Sequence, residues 1–389
     1  MKFNVLALLL AAPVLASPGD NLDEFSDCLY QCEQIACYSN PYYIIQEEYL
    51  DIWHEKGLEF HNYNPNWHFD AYLPWYLKLL GWNCRSNCDY QCQQIVTDER
   101  IKNNQEVYQF HGKWPFRRIA GIQELASVIF SIGNFLPHYY GFQKVRAVMA
   151  LNPPAKAIVN RSYYNILLMS FVTMCAWIFS TVFHIRDFLI TEKLDYYFAG
   201  LTVLTGFYSI AFRYFKLYLP RRRIAGWVLG AACIAAYCAH IYRLETDWLY
   251  TYNMQANIVV AVLQNVLWCG TCFALYTDYY NKEAADSTVL NFDHLNYIVP
   301  GRIIMGSFYS KSAKLYSLYP LMLCFIVVAG MSLEIFDFPP FFFDLVDAHS
   351  LWHLVTIFPA FLGLYDWMIW DVNENAYEHL ALALEKKQQ

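Results

Sequence analysis

Seven apolar segments, each near the length that crosses a bilayer as a helix, follow one another between residues 119 and 370. Their expected limits are 119–139, 165–184, 195–215, 224–242, 256–277, 316–336 and 349–370. In hydrocarbon the backbone must satisfy its own N–H and C=O groups, so such segments are expected to be helices. The chain is 57% hydrophobic and only 16% charged, which favours membrane spans over the buried core of a soluble domain. The expected fold class is an all-α membrane protein, a seven-transmembrane helix bundle over 116–371 with an extra N-terminal unit. A net charge of −7 argues against a nucleic-acid partner.

The extra unit follows a segment that reads as a secretory signal peptide, residues 1–17. One lysine, Lys2, precedes a short apolar run that ends in Val14-Leu15-Ala16-Ser17. A first membrane helix is the rival reading, but the run is short for one. Residues 18–115 then hold six of the twelve cysteines, as Cys28-x3-Cys32-x4-Cys37 and Cys84-x3-Cys88-x3-Cys92. Both spacings are near helical. Two such segments lying antiparallel would pair 28–92, 32–88 and 37–84, one of fifteen possible connectivities. A zinc cluster is the alternative, and a secreted context favours disulfides. The expectation is a disulfide-rich lumenal domain. The other six, Cys175, Cys233, Cys238, Cys269, Cys272 and Cys324, lie in apolar segments and read as buried thiols.

Charge between the spans sets the orientation. Lys144, Arg146, Lys156 and Arg161 follow the first span, and Arg213, Lys216, Arg221, Arg222 and Arg223 follow the third, with no acid in either loop. Both loops read as cytosolic. The loops with Arg243, Glu245 and Asp247, and with Glu334, Asp337, Asp344 and Asp347, read as lumenal. Arg117 and Arg118 oppose this assignment and the signal peptide supports it. The tail 372–389 is then cytosolic. It ends in Lys386-Lys387-Gln388-Gln389, which looks like a dilysine retrieval signal for the endoplasmic reticulum, with a retrieval coat as the partner. The sequon Asn160-Arg161-Ser162 falls on the cytosolic side and is expected to stay unmodified.

This topology collects reactive residues at one depth. Ser180 and His184 end the second span, Asp195 opens the third, and His349 and His353 open the seventh, all on the lumenal side. Imidazoles are costly in lipid and mark function there. His349 and His353, four residues apart, share a helix face and can chelate one ion. A third histidine, His184, leaves the fourth tetrahedral position of a zinc ion to water. Asp195 is the expected proton acceptor, with Asp187 as its rival. Ser180, one turn before His184, is placed to donate to the oxyanion of an attacked ester. A Ser-His nucleophile pair is weaker, because neighbours on one helix face point outward together. Glu124 receives no role, and His138 and His240 read as lone interfacial residues.

These residues carry a resemblance. Ser180-x3-His184, Asp195 and His349-x3-His353 are similar to the pattern of the alkaline ceramidase and adiponectin-receptor superfamily of seven-helix hydrolases. Within it the chain resembles the GPI-specific phospholipase A2 family of post-attachment lipid remodelling. Three stretches carry that likeness: Gly112-Lys113-Trp114-Pro115-Phe116-Arg117-Arg118 with Gly121-Ile122-Gln123-Glu124; Phe183-His184-Ile185-Arg186-Asp187 through Thr191-Glu192-Lys193-Leu194-Asp195-Tyr196; and Ala348-His349-Ser350-Leu351-Trp352-His353. Leu125 departs from the family pattern, which touches helix shape and not chemistry. The resemblance implies Zn2+ on His184, His349 and His353. It also implies hydrolysis of the sn-2 acyl ester of the phosphatidylinositol in GPI-anchored proteins. The residues alone give a lumenal metal hydrolase acting on a lipid.

Two other function classes fit the same residues. A lipid receptor or chaperone would close a structural zinc with a fourth side chain. A ceramidase would cut an amide in place of an ester, and a large lumenal domain has little to bind on a ceramide. The aromatic residues of that domain, among them Trp53, Trp67, Trp75 and Trp82, either contact the glycan or form the domain's own core; the second is the expectation.

Overall fold

The computed structural model describes residues 17–40, 63–151, 160–285, 312–376 and 378. The segment 1–16, Trp53, Lys386 and Lys387 lie outside the described residues. Regular structure among the described residues is helical, apart from the isolated bridges Phe110 to Lys113, Ile119 to Ile122 and Phe341 to Val346.

The N-terminal unit is built on α1 (Asp23–Cys32), the short α2 (Trp75–Leu79) and α3 (Cys84–Lys102). Helix α3 starts where Asn83 accepts from the Ser86 backbone N–H at 2.9 Å, while the Ser86 hydroxyl accepts from the Asn83 N–H at 3.0 Å. That reciprocal cap puts Cys84, Cys88 and Cys92 on the face turned to α1. Disulfides join Cys28 to Cys92, Cys32 to Cys88 and Cys37 to Cys84, the antiparallel ladder, so these cysteines form cross-links and not a zinc cluster. Phe25, Trp67, Val96 and Phe110 pack round the sulfurs. The Trp67 indole donates to Glu99 at 2.8 Å and the Trp82 indole to the Gly121 carbonyl at 2.9 Å, so both rings belong to the interior. Trp75 differs, standing 74% exposed.

The bundle follows as α4 (Leu125–Leu151), α5 (Asn160–Ile185), α6 (Leu189–Tyr214), α7 (Arg223–Thr246), α8 (Tyr250–Ala285), α9 (Tyr319–Ile335), α10 (Ala348–Phe361) and α11 (Leu364–Trp370). Four stretches, Asn160–Ile185, Pro220–Thr246, Thr251–Glu283 and Ala313–Ile335, are helical, long and apolar enough to cross a membrane. The other three expected spans fall on α4, α6 and α10 with α11, which carry polar residues such as Asn134, Glu192 and His353 within their helices. Seven crossings are therefore a reading of the sequence beyond these four.

Two limits move. The first span was expected from residue 119, but the helix begins at Leu125. Ile119 and Ile122 exchange backbone bonds across Ala120 and Gly121, whose φ values of 51° and 90° close a turn no helix tolerates. The last expected span, 349–370, is two helices. Gly363, at φ 108°, breaks it and starts α11 in a new direction. Of the cysteines expected to be buried thiols, Cys272 is buried, Cys238 is exposed and the other four are half-buried.

The core lies away from the histidines, at the other end of α5 and beyond α10. Tyr163, Trp268, Tyr316, Tyr319, Trp367 and Trp370 fill it. Arg213 grips Asp371 through two N–H donors at 2.5 and 2.7 Å, and Lys144 pairs with Asp366. Helix α4 approaches α11 so closely at Gly141 that an added Cβ would stand 2.2 Å from the Tyr365 ring. Gly141→Ala is expected to cost about 1–3 kcal/mol through overpacking. A lowered thermal midpoint in detergent checks this; an unchanged midpoint would show that Tyr365 yields freely.

Candidate metal centre

The site begins with two helix ends. Helix α5 carries Ser180 and His184 one turn apart at its C-terminus, and both are buried. Helix α10 starts at a capping box: Asp347 accepts from the Ser350 N–H at 2.8 Å, and the Ser350 hydroxyl accepts from the Asp347 N–H at 2.9 Å. That cap fixes the first turn of α10, so His349 and His353 face α5 together. The ring centroids stand 5.3 Å apart for His184 and His349, 4.9 Å for His184 and His353, and 4.6 Å for His349 and His353. Each ring offers a nitrogen within 4.8 Å of the others'. Residues 165 positions apart in the chain are thereby brought to one point (349 less 184).

The outer nitrogens are all engaged. The Glu124 carboxylate accepts from His184 Nδ1 at 2.7 Å, and the Glu334 carboxylate accepts from His349 Nδ1 at 2.7 Å. Ser131 Oγ lies 3.0 Å from His353 Nδ1. Carboxylates that take the Nδ1 proton fix the tautomer and leave the Nε2 lone pair inward. His184 Nε2 is buried with no protein partner, which is costly for a ring nitrogen unless something else meets it. Three imidazoles converging in this way, with oriented outer nitrogens, fit a tetrahedral metal with one open position.

Asp195 and Ser180 join the centre. The Ser180 hydroxyl oxygen lies 3.3 Å from Ser131 Oγ, and Asp195 stands within electrostatic reach of His184, His349 and Ser180. Asp195 therefore shares this end of the bundle with the histidines. Asp187 is committed elsewhere: its carboxylate lies 3.2 Å from Lys113 Nζ, and its N–H donates to Gln123 at 2.5 Å. His138 bonds the Tyr365 hydroxyl at 2.6 Å and His240 bonds Tyr252 at 3.4 Å, outside the centre.

Four partners escaped the sequence reading. Glu124, Glu334 and Ser131 each hold one histidine, and Lys113 holds Glu124 at 2.6 Å while lying 3.7 Å from the Phe183 ring centre. Burial works against the charge of Lys113, but Glu124 and Asp187 outweigh it and hold its pKa above the ordinary lysine value. The signal available was the presence of carboxylates, Glu124 and Glu334, inside otherwise apolar segments.

The Cys-rich unit sits on this same end. Gln94 donates to the carbonyls of Pro115 and Phe116 at 3.2 and 3.1 Å. Guanidinium groups and rings alternate between the unit and the bundle: Arg118 lies 4.1 Å from Tyr90 and 4.3 Å from Trp82, and Arg186 lies 4.0 Å from Trp82 and 4.8 Å from Phe188.

The Per1-like family profile matches residues 74–372, from α2 to the residues after α11. Protein PER1 of Saccharomyces cerevisiae is 42% identical over 376 residues, covering 95% of this chain and 97% of its own. The Schizosaccharomyces pombe PER1 homolog is 33% identical, over 94% of this chain and 91% of its own. The human protein named GPI-specific phospholipase A2-like PGAP3 is 28% identical over 355 residues, 90% of this chain and 89% of its own. No solved structure matches.

Proposed function

The chain belongs to the Per1-like family, and from that premise we propose that it is a zinc-dependent hydrolase of GPI-anchor lipid. The bond cut is the sn-2 acyl ester of the phosphatidylinositol on GPI-anchored proteins. The names of its vertebrate relatives support the substrate, and the three converging imidazoles support the chemistry. That convergence is the observation that carries the reading.

A divalent metal held by His184, His349 and His353 would polarise the ester and lower the pKa of a water to about 7. The protein's own part is proton handling and orientation. Asp195 takes the proton of the attacking water and passes it to the glycerol oxygen as the C–O bond breaks. The products are a free fatty acid and a lyso lipid still bearing its headgroup. Ser180 sits one turn before His184 on α5, with its hydroxyl 3.3 Å from Ser131 Oγ. Its hydroxyl rotates, and in the reaction its hydrogen turns to the carbonyl oxygen as negative charge builds there. A Ser180 nucleophile is disfavoured because Glu124, Glu334 and Ser131 occupy the outer nitrogens and a metal on the inner ones would leave no imidazole to act as its base.

The site lies at a helix end under the Cys-rich unit, which suits an ester near the membrane interface with its glycan in water. We place that end in the lumen of the endoplasmic reticulum, with Lys386 and Lys387 as a cytosolic retrieval signal. The experiment is Asp195→Asn in full-length protein, with lipid products read by mass spectrometry. Expected is normal zinc content with fatty-acid release reduced about 10²–10⁴-fold. Undiminished release by that variant, or release untouched by a chelator that strips the zinc, would overturn the reading.

A further inference from the structure

Lys113 reaches the metal centre from the Cys-rich side of the molecule. It closes a tight turn in which Phe110 N–H donates to the Lys113 carbonyl at 2.7 Å and Lys113 N–H donates to the Phe110 carbonyl at 2.9 Å. The two residues between, His111 and Gly112, sit at φ 50° and 79°. Phe110 is 1% exposed, locked among the disulfides with Phe25 and Trp67. The turn is also tied to α3, because His111 Nε2 bonds Asp89 at 2.8 Å. Burial of Phe110 therefore sets where the Lys113 side chain starts. Its ammonium ends 2.6 Å from Glu124 and 3.2 Å from Asp187, against the face of Phe183.

Glu124 faces two ways, with one oxygen on Lys113 and the other on His184 Nδ1 at 2.7 Å. It is 3% exposed, so bulk solvent does not reach its carboxylate. A carboxylate pinned at one oxygen by a cation has its second oxygen fixed in direction. An acceptor oriented in this way sets the rotation and tautomer of the ligand imidazole.

We propose that Lys113 is a positioning residue for the metal centre, holding Glu124 so that His184 presents Nε2 to the ion. The Cys-rich unit thereby completes the centre and does not only cover it. The inference rests on the metal reading proposed above. It adds that the ion's affinity depends on a residue which touches no ligand.

The test measures zinc affinity of the full-length protein in detergent, by competition with a chromogenic chelator, with Zn2+ alone as the probe. Lys113→Met is expected to weaken zinc binding about 10–100-fold. Lys113→Arg, which keeps a cation in reach of Glu124, is expected to recover most of that loss. A double-mutant cycle identifies the route: Glu124→Gln alone and Glu124→Gln with Lys113→Met should bind zinc equally weakly, because Lys113 acts only through Glu124. A merely structural lysine would give losses that add, and no rescue by arginine. Wild-type affinity in Lys113→Met, or additive losses in the cycle, overturns this proposal and leaves the hydrolase reading in place. A wild-type protein that binds no zinc overturns both.

Discussion

Full-length protein carrying His349→Ala is expected to lose zinc and to release fatty acid only at background level, while staying folded. His349 is one of three ligands, and two remaining imidazoles on different helices, His184 and His353, cannot close a tetrahedral site that keeps a fourth position open. The fold should survive for a local reason. The His349 side chain is 39% exposed and bonds only Glu334 among protein groups, at 2.7 Å. The start of α10 is held by Asp347 and Ser350, which the substitution leaves intact. The loss of one partly exposed side chain then costs within about 1 kcal/mol. The check is a pair of measurements on one preparation: zinc content by elemental analysis and thermal unfolding in detergent. A variant that keeps its zinc and its rate would remove His349 from the centre and the hydrolase reading with it.

The sequence already contained part of this. A pair of histidines four residues apart is a local signal, because helical spacing alone puts them on one face. The disulfide ladder was legible for the same reason: two cysteine runs at near-helical spacing face each other in only one antiparallel register. The convergence of α5 with α10 needed the alternation of basic and acidic loops, a signal spread over the chain. What stayed hidden was every contact that only packing creates. Ser131 meets His353 across 222 positions and Lys113 meets Glu124 through a turn with two positive φ values, and no spacing announces either. The breaks at Ala120-Gly121 and Gly363 were hidden differently. Both interrupt apolar runs, and hydropathy has no term for a backbone that turns left-handed.

Glu124→Ala is expected to do more damage to the fold than His349→Ala, because Glu124 serves two groups where His349 serves one. At 3% exposure its carboxylate lies between the Lys113 ammonium and the His184 ring. Alanine leaves Lys113 with Asp187 alone at 3.2 Å and leaves the His184 Nδ1–H facing a methyl group. Removing one partner of a buried ion pair typically costs about 3–5 kcal/mol, since the survivor stays desolvated. Zinc affinity should fall as well, by about 10–100-fold, as His184 loses the acceptor that fixes its ring. Glutamine separates the two effects. Its shape is nearly that of glutamate, but one of its two ends is an NH2 group. If the oxygen turns to His184, the NH2 faces the ammonium; if it turns to Lys113, the NH2 faces an N–H donor. Neither orientation satisfies both neighbours, so Glu124→Gln keeps the packing and still weakens zinc binding. The decisive comparison is thermal unfolding of the three proteins with and without zinc. Expected is a midpoint lowered in both variants without zinc, more in alanine than in glutamine, and a smaller zinc-induced rise in both than in wild type. A full zinc-induced rise in Glu124→Ala would mean that His184 is held without it, and that the carboxylate inside α4's lead-in turn is there for the lysine alone.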